Sequence, residues 1–92
     1  NYMKIDICVG FVGLNHLGIC SLAAAASKNF RVIGIDDNRE LINKYKKKKF
    51  HIDEKKLYQL ISKFEKYITF SNNFSILIKI GSLIFISPVE HK

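Results

Sequence analysis

The stretch that decides the fold is Lys4-Ile5-Asp6-Ile7-Cys8-Val9-Gly10-Phe11-Val12-Gly13-Leu14-Asn15-His16-Leu17-Gly18. Residues 4 to 12 form a near-continuous apolar run rich in β-branched side chains, the pattern of a strand inside a parallel sheet covered on both faces. Gly13 to Gly18 then read as a turn. His16 to Lys28 reads as a helix, because Ala and Leu favour helix and the small Ala side chains allow close packing on a sheet.

Working outward, residues 31 to 36 (Arg-Val-Ile-Gly-Ile-Asp) predict a second buried strand that closes on a carboxylate, Asp36. Asp37 is expected to cap the helix that follows, with Glu40 completing a capping box and Leu41, Ile42 and Tyr45 forming the apolar stripe. The run Lys46 to Lys49 should end it. From Asp53 as cap, Leu57, Leu60, Ile61, Phe64 and Ile68 recur at helical spacing and predict a third helix. Ile68 to Ser71 reads as a short strand, and Leu83 to Ser87 as a buried strand closed by Pro88. Between them Phe74, Ile76, Ile78 and Ile80 alternate with Ser75, Leu77 and Lys79. Taken alone, that period of two says strand, with Gly81-Ser82 as a hairpin turn.

Ninety-two residues with 48% hydrophobic content and a single Pro make one small globular domain. The formal charge of +7 would suit a polyanion. Its lysines lie on solvated helix faces and in a loop, without interleaved aromatics, so no nucleic-acid partner is expected. Cys8 and Cys20 sit in apolar runs with no second pair and no His taken to be at ligand spacing, and read as buried, reduced thiols rather than a disulfide or metal ligands, which points to the cytoplasm. Ile7 to Ala26 is almost free of charge, yet Gly10, Gly13, Asn15, His16 and Gly18 interrupt it. A strand, a turn and a buried helix explain the apolarity without a membrane span or signal peptide.

Strand, glycine turn, helix, strand and terminal acid follow the order of a dinucleotide-binding βαβ unit. The expected fold is therefore α/β, a Rossmann-type parallel sheet flanked by helices, in one domain over residues 1–92. Gly13 would allow the turn out of the strand, Gly18 would let the helix pack closely, and the amides of Leu14, Asn15, His16, Leu17 and Gly18 at the helix start would face a pyrophosphate. Asp36, 23 positions after Gly13, would accept the ribose hydroxyls and repel a 2′-phosphate, which favours NAD over NADP, with Arg39 nearby. Asn15 stands where a middle glycine is usual; Asn is the least costly substitute if the backbone there takes a positive φ. His16, His51 and His91 have no nucleophile or orienting acid beside them in sequence, and no catalytic residue is assigned.

From Ile7 onward the chain resembles the N-terminal domain of the UDP-glucose/GDP-mannose dehydrogenase family. That family opens with a strand and G-L-G-Y-V-G, matched by Gly13-Leu14-Asn15-His16-Leu17-Gly18, and continues with V-I-G-V-D, matched by Val32-Ile33-Gly34-Ile35-Asp36. Its E-P-G-L is matched in part by Glu54-Lys55-Lys56-Leu57, and a strand like I-F-I-A-V-P-T-P in part by Ile84-Phe85-Ile86-Ser87. Asn15, Lys55-Lys56 and Pro88-Val89-Glu90 depart from the family pattern.

The resemblance implies a helix over residues 73–80 in place of a hairpin arm. It also implies NAD as cofactor, and a whole enzyme that oxidises a nucleotide-sugar alcohol twice to the acid through a thiohemiacetal on a catalytic Cys. Cys8 and Cys20 match no such nucleophile, so the chain reads as the N-terminal NAD-binding fragment, with the sugar bound only once a further domain is present. A nucleotide-sensing regulatory module and a degenerate remnant are the alternatives. An unpaired sheet edge would favour homo-oligomers.

Overall fold

A computed structural model describes residues 7–51, 54–80 and 83–86. Four strands, β1 (Cys8–Val12), β2 (Arg31–Ile35), β3 (Ile68–Ser71) and β4 (Leu83–Ile86), form one sheet in the order β3-β2-β1-β4. All three pairings are parallel. The expected strand over 4–12 is seen from Cys8 on, and its residues 4–6 lie outside the described residues. The proposed caps and turns at Asp53, Gly81 and Ser82, and the segment Pro88 to Glu90 with His91, lie outside them too.

Parallel strands need crossovers, and helices supply them. These are α1 (His16–Ser27), α2 (Arg39–Lys46), α3 (Lys55–Lys63) and the short α4 (Ile76–Ile80), with a 3-10 turn at Glu65–Tyr67. Helix α1 lies against β1, β2 and α3. Its side chains Leu22, Ala23 and Ala26 are sealed from solvent, while Ala24 is exposed and Ala25 half-buried, so two of the four successive alanines supply the small-residue face expected of the helix. The core also takes Phe11, Val32, Ile42, Leu57, Ile61 and Phe70.

Helices α1 and α2 both stop in the same way. Asn29, at φ 69°, lets the amides of Asn29 and Phe30 donate to the carbonyls of Ala26 and Ala25. Lys48, at φ 57°, does the same for Lys48 and Lys49 onto Tyr45 and Lys44. Each closes the last turn with a left-handed residue. The lysine run thus ends α2 through one residue's backbone conformation, and the Lys48 ammonium is held 2.8 Å from Glu65.

Four expectations need correction. Asn38, not Asp37, caps α2: its Oδ1 accepts the Leu41 N–H at 3.0 Å, because the Asp36 carboxylate takes the Asn38 N–H at 2.9 Å and turns the chain one residue later. Glu40 then falls at the second helical position, out of reach of a capping box. Helix α3 starts after Glu54, which makes no side-chain cap, and ends at Lys63, so Phe64 and Ile68 belong to the turn and strand that follow. Cys8 and Cys20 are free, as expected, but half-buried rather than buried.

The helix over 73–80 is present from Ile76, and β4 runs parallel to β1, so the hairpin suggested by alternation does not form. Asn73 prepares the turn into it, its Oδ1 accepting the Ser75 N–H at 3.0 Å. No helix among the described residues is long and apolar enough to cross a membrane.

Candidate functional site

The glycine loop leaves β1 at the carboxyl end of the sheet, directly beside the end of β2. Gly13 has φ 88°, a conformation that side-chain-bearing residues rarely adopt, and its N–H donates to the Ile35 carbonyl at 2.8 Å. That bond carries the β1–β2 ladder one step past the strands and fixes the loop next to Asp36.

The Asp36 carboxylate is half-buried and holds two loops at once. Its Oδ2 accepts the Leu14 N–H at 2.8 Å and its Oδ1 accepts the Asn38 N–H at 2.9 Å. Each carboxylate oxygen has a second acceptor site, so ribose hydroxyls can still be received. Leu14 is wholly buried, and its carbonyl accepts the Tyr45 hydroxyl at 3.1 Å. Tyr45 in turn stacks on Phe50 at 5.3 Å and meets Phe70 at 5.6 Å. Burial pushes the Tyr45 hydroxyl above the ordinary tyrosine range, and the charges of Asp36, Cys20 and Glu54 add to it.

Asn15 is the N-cap of α1 at φ −68° and ψ −176°, ordinary extended backbone, so no positive φ is needed there. Its Oδ1 accepts the Gly18 N–H at 2.9 Å. With the Leu14 N–H given to Asp36, two of the five amides expected to face a pyrophosphate are taken by the protein itself, while those of His16 and Leu17 have no acceptor within a helix that begins there. His16 and Leu17 are exposed, Gly18 is buried, and Arg39 stands exposed as the first residue of α2. The structure therefore gathers Gly13 to Gly18 and Asp36 at one edge, with Arg39 a short step away. His51 sits apart in the segment between α2 and α3.

Tyr45 is invisible to motif reading, and Glu54 enters the sequence reading only within the match Glu54-Lys55-Lys56-Leu57, with no role attached to it. Tyr45 enters only because α2 packs its aromatic face under the loop. Glu54 lies against the start of α1, with Oε1 3.1 Å from His16 Nδ1, and His16 Nε2 is 3.7 Å from Cys20 Sγ. Burial raises the thiols of Cys8 and Cys20 above their ordinary value, with Glu54 adding at Cys20 and Arg31 opposing at Cys8. Neither is the lowered thiol that a nucleophile needs.

The NAD binding domain of the UDP-glucose/GDP-mannose dehydrogenase family matches residues 5–89. Among solved structures, a UDP-glucose dehydrogenase from the hyperthermophilic archaeon Pyrobaculum islandicum superposes with a TM-score of 0.78 over 88% of this chain at 19% identity. The chain spans 19% of that enzyme's length. No curated protein matches it.

Proposed function

As the chain belongs to the UDP-glucose/GDP-mannose dehydrogenase family through its NAD binding domain, we propose that it holds NAD across the carboxyl ends of β1 and β2 for the oxidation of a nucleotide-sugar alcohol to the acid. NAD is the cofactor this family domain implies. The observation that supports the reading is the Asp36 carboxylate at the end of β2, hydrogen-bonded to Leu14 N–H at 2.8 Å within the glycine loop. One residue then orders the pyrophosphate loop and faces the adenosine ribose.

The parts divide as follows. Gly13 turns the backbone out of the way, the His16 and Leu17 amides with the positive end of α1 receive phosphate oxygens, and Asp36 accepts the ribose hydroxyls. The bound nicotinamide would accept the hydride. The reading assigns the residues gathered here to the dinucleotide alone, and the Cys20 thiol, raised by burial rather than lowered, is given no part as a nucleophile. The two free thiols fit a reducing compartment such as the cytoplasm.

Titration calorimetry with NADH and NADPH tests this. The wild type should bind NADH more tightly, and Asp36→Asn, which keeps an acceptor for Leu14 while losing the charge, should narrow the difference. Asn15→Gly removes the side chain that occupies the Gly18 amide, and the lost cap costs only a few tenths of a kcal/mol. Both dinucleotides should therefore bind it more tightly. Equal affinities in the wild type would reject the role of Asp36, and no binding even by Asn15→Gly would mark a remnant that has lost its site.

A further inference from the structure

The dinucleotide reading uses the amide of His16 and leaves its side chain unexplained. That imidazole lies between Cys20, one turn further along α1, and Glu54, at the start of α3. We propose that His16, Cys20 and Glu54 form a site for one divalent cation of the borderline-soft class that zinc represents, with water in the fourth position.

The spacing carries the proposal. Residues four apart share a helix face, and His16 Nε2 stands 3.7 Å from Cys20 Sγ. A tetrahedral zinc ion bonded at about 2.0 Å to nitrogen and about 2.3 Å to sulfur sets those two atoms roughly 3.5 Å apart. The pair is thus close to ligand spacing before any ion arrives. One ligand atom from each of the three residues lies within 4.8 Å of the other two. The Glu54 carboxylate, half-buried with 26% of its side chain exposed, now holds Nδ1 and so aims Nε2 at the thiol. On binding it swings from Nδ1 to the ion, and the thiol proton passes to solvent.

Charge and softness narrow the ion. The start of α1 is the positive end of a helix dipole and the surface is rich in lysine, so a bare cation is repelled there. One thiolate and one carboxylate neutralise both charges of a divalent ion. A set of imidazole, thiolate and carboxylate suits zinc or cobalt and disfavours magnesium and calcium, which prefer all-oxygen shells. Bound there, the ion would clip the start of α3 to α1.

The test uses the reduced chain and Co(II) as a spectroscopic probe. One Co(II) per chain should give thiolate charge-transfer absorption and the intense visible bands of a four-coordinate site, and Zn(II) should displace it while Mg(II) does not. Cys8→Ser should leave both signals unchanged. Cys20→Ser should abolish the charge-transfer band, and both it and His16→Ala should weaken Zn(II) binding by about a hundredfold, Glu54→Gln by about tenfold. Far-ultraviolet circular dichroism without metal checks that each variant folds, with Cys20→Ala as a second choice for the thiol. Absence of the band in the wild type, its survival in Cys20→Ser, or undiminished affinity in His16→Ala would overturn the proposal.

Discussion

At the scale of single residues, the chain shows how a small side chain can be dictated by its neighbours. Gly34 in β2 has no unusual backbone requirement, but a Cβ placed there would lie 2.6 Å from Leu22 Cδ1, 3.0 Å from Phe70 Cδ1 and 3.1 Å from Leu14 Cδ1. Leu22 and Leu14 are fully buried and Phe70 nearly so, and little room exists for all three to retreat. Gly34→Ala should therefore destabilise the fold by about 1–3 kcal/mol, the usual cost of overpacking, read as a lower urea midpoint at unchanged slope. An unchanged midpoint would mean that the core around Leu14 yields easily. The same scale explains what was readable at the site. Gly13 and Asp36 could be placed from sequence because each answers a local demand, a positive φ and a carboxylate at a strand end. Asn15 could not be fully read, since whether an Asn strains the backbone or caps a helix depends on one dihedral angle. The His16–Cys20 pair was not read as ligand spacing, since a separation of four gains meaning only once both residues lie on one helix face with Glu54 against it.

At the scale of elements, α2 supports the dinucleotide loop from a distance in sequence that no local pattern reports. The Tyr45 hydroxyl reaches the buried Leu14 carbonyl at 3.1 Å, across 31 positions. Tyr45→Phe keeps the ring packing on Phe50 and Phe70 but strands that carbonyl, so it should cost about 1–3 kcal/mol and loosen the loop toward NADH. The pH dependence has a definite sign. Since the hydroxyl is raised in the folded state, the native chain retains its proton to higher pH than the unfolded chain. This contribution is complete below about pH 10, where a free tyrosine ionises, and is lost as pH rises through the folded value. Chemical denaturation between pH 9 and 11 should show the wild type losing more stability than Tyr45→Phe; parallel curves would show that Tyr45 does not titrate with folding. Periodicity misled over residues 74–80 because a five-residue helix is too short to display its own period, and chain connectivity decides instead: β4 must return parallel to β1, which a hairpin cannot provide.

At the scale of the whole molecule, the apolar run of β1 places that strand inside the parallel sheet, as the order β3-β2-β1-β4 bears out, while the order itself was not legible because periodicity reports burial and not neighbours. The proposed role carries two expectations for the chain on its own. Incubated with UDP-glucose and NAD, the 92-residue chain should produce no NADH, since the oxidation needs a substrate pocket and a proton acceptor facing the nicotinamide; steady growth of NADH absorbance would show that the site holds more chemistry than its residues indicate. Association is the second consequence. Among the described residues β4 pairs only with β1 and leaves its other edge open, the position that a further strand takes in a doubly wound sheet. The preceding segment adds apolar surface, with Phe74 43% and Ile78 85% exposed. An open strand edge and exposed large hydrophobic side chains on the same small domain each favour a second copy, so the isolated chain should self-associate as its concentration rises. Sedimentation should show the average mass climbing with concentration. Ile78→Lys should weaken association about tenfold or more, as expected from losing the burial of one large aliphatic side chain. A strictly monomeric profile at every concentration would mean that the edge is covered, and an unchanged profile in Ile78→Lys would place the contact elsewhere than on α4.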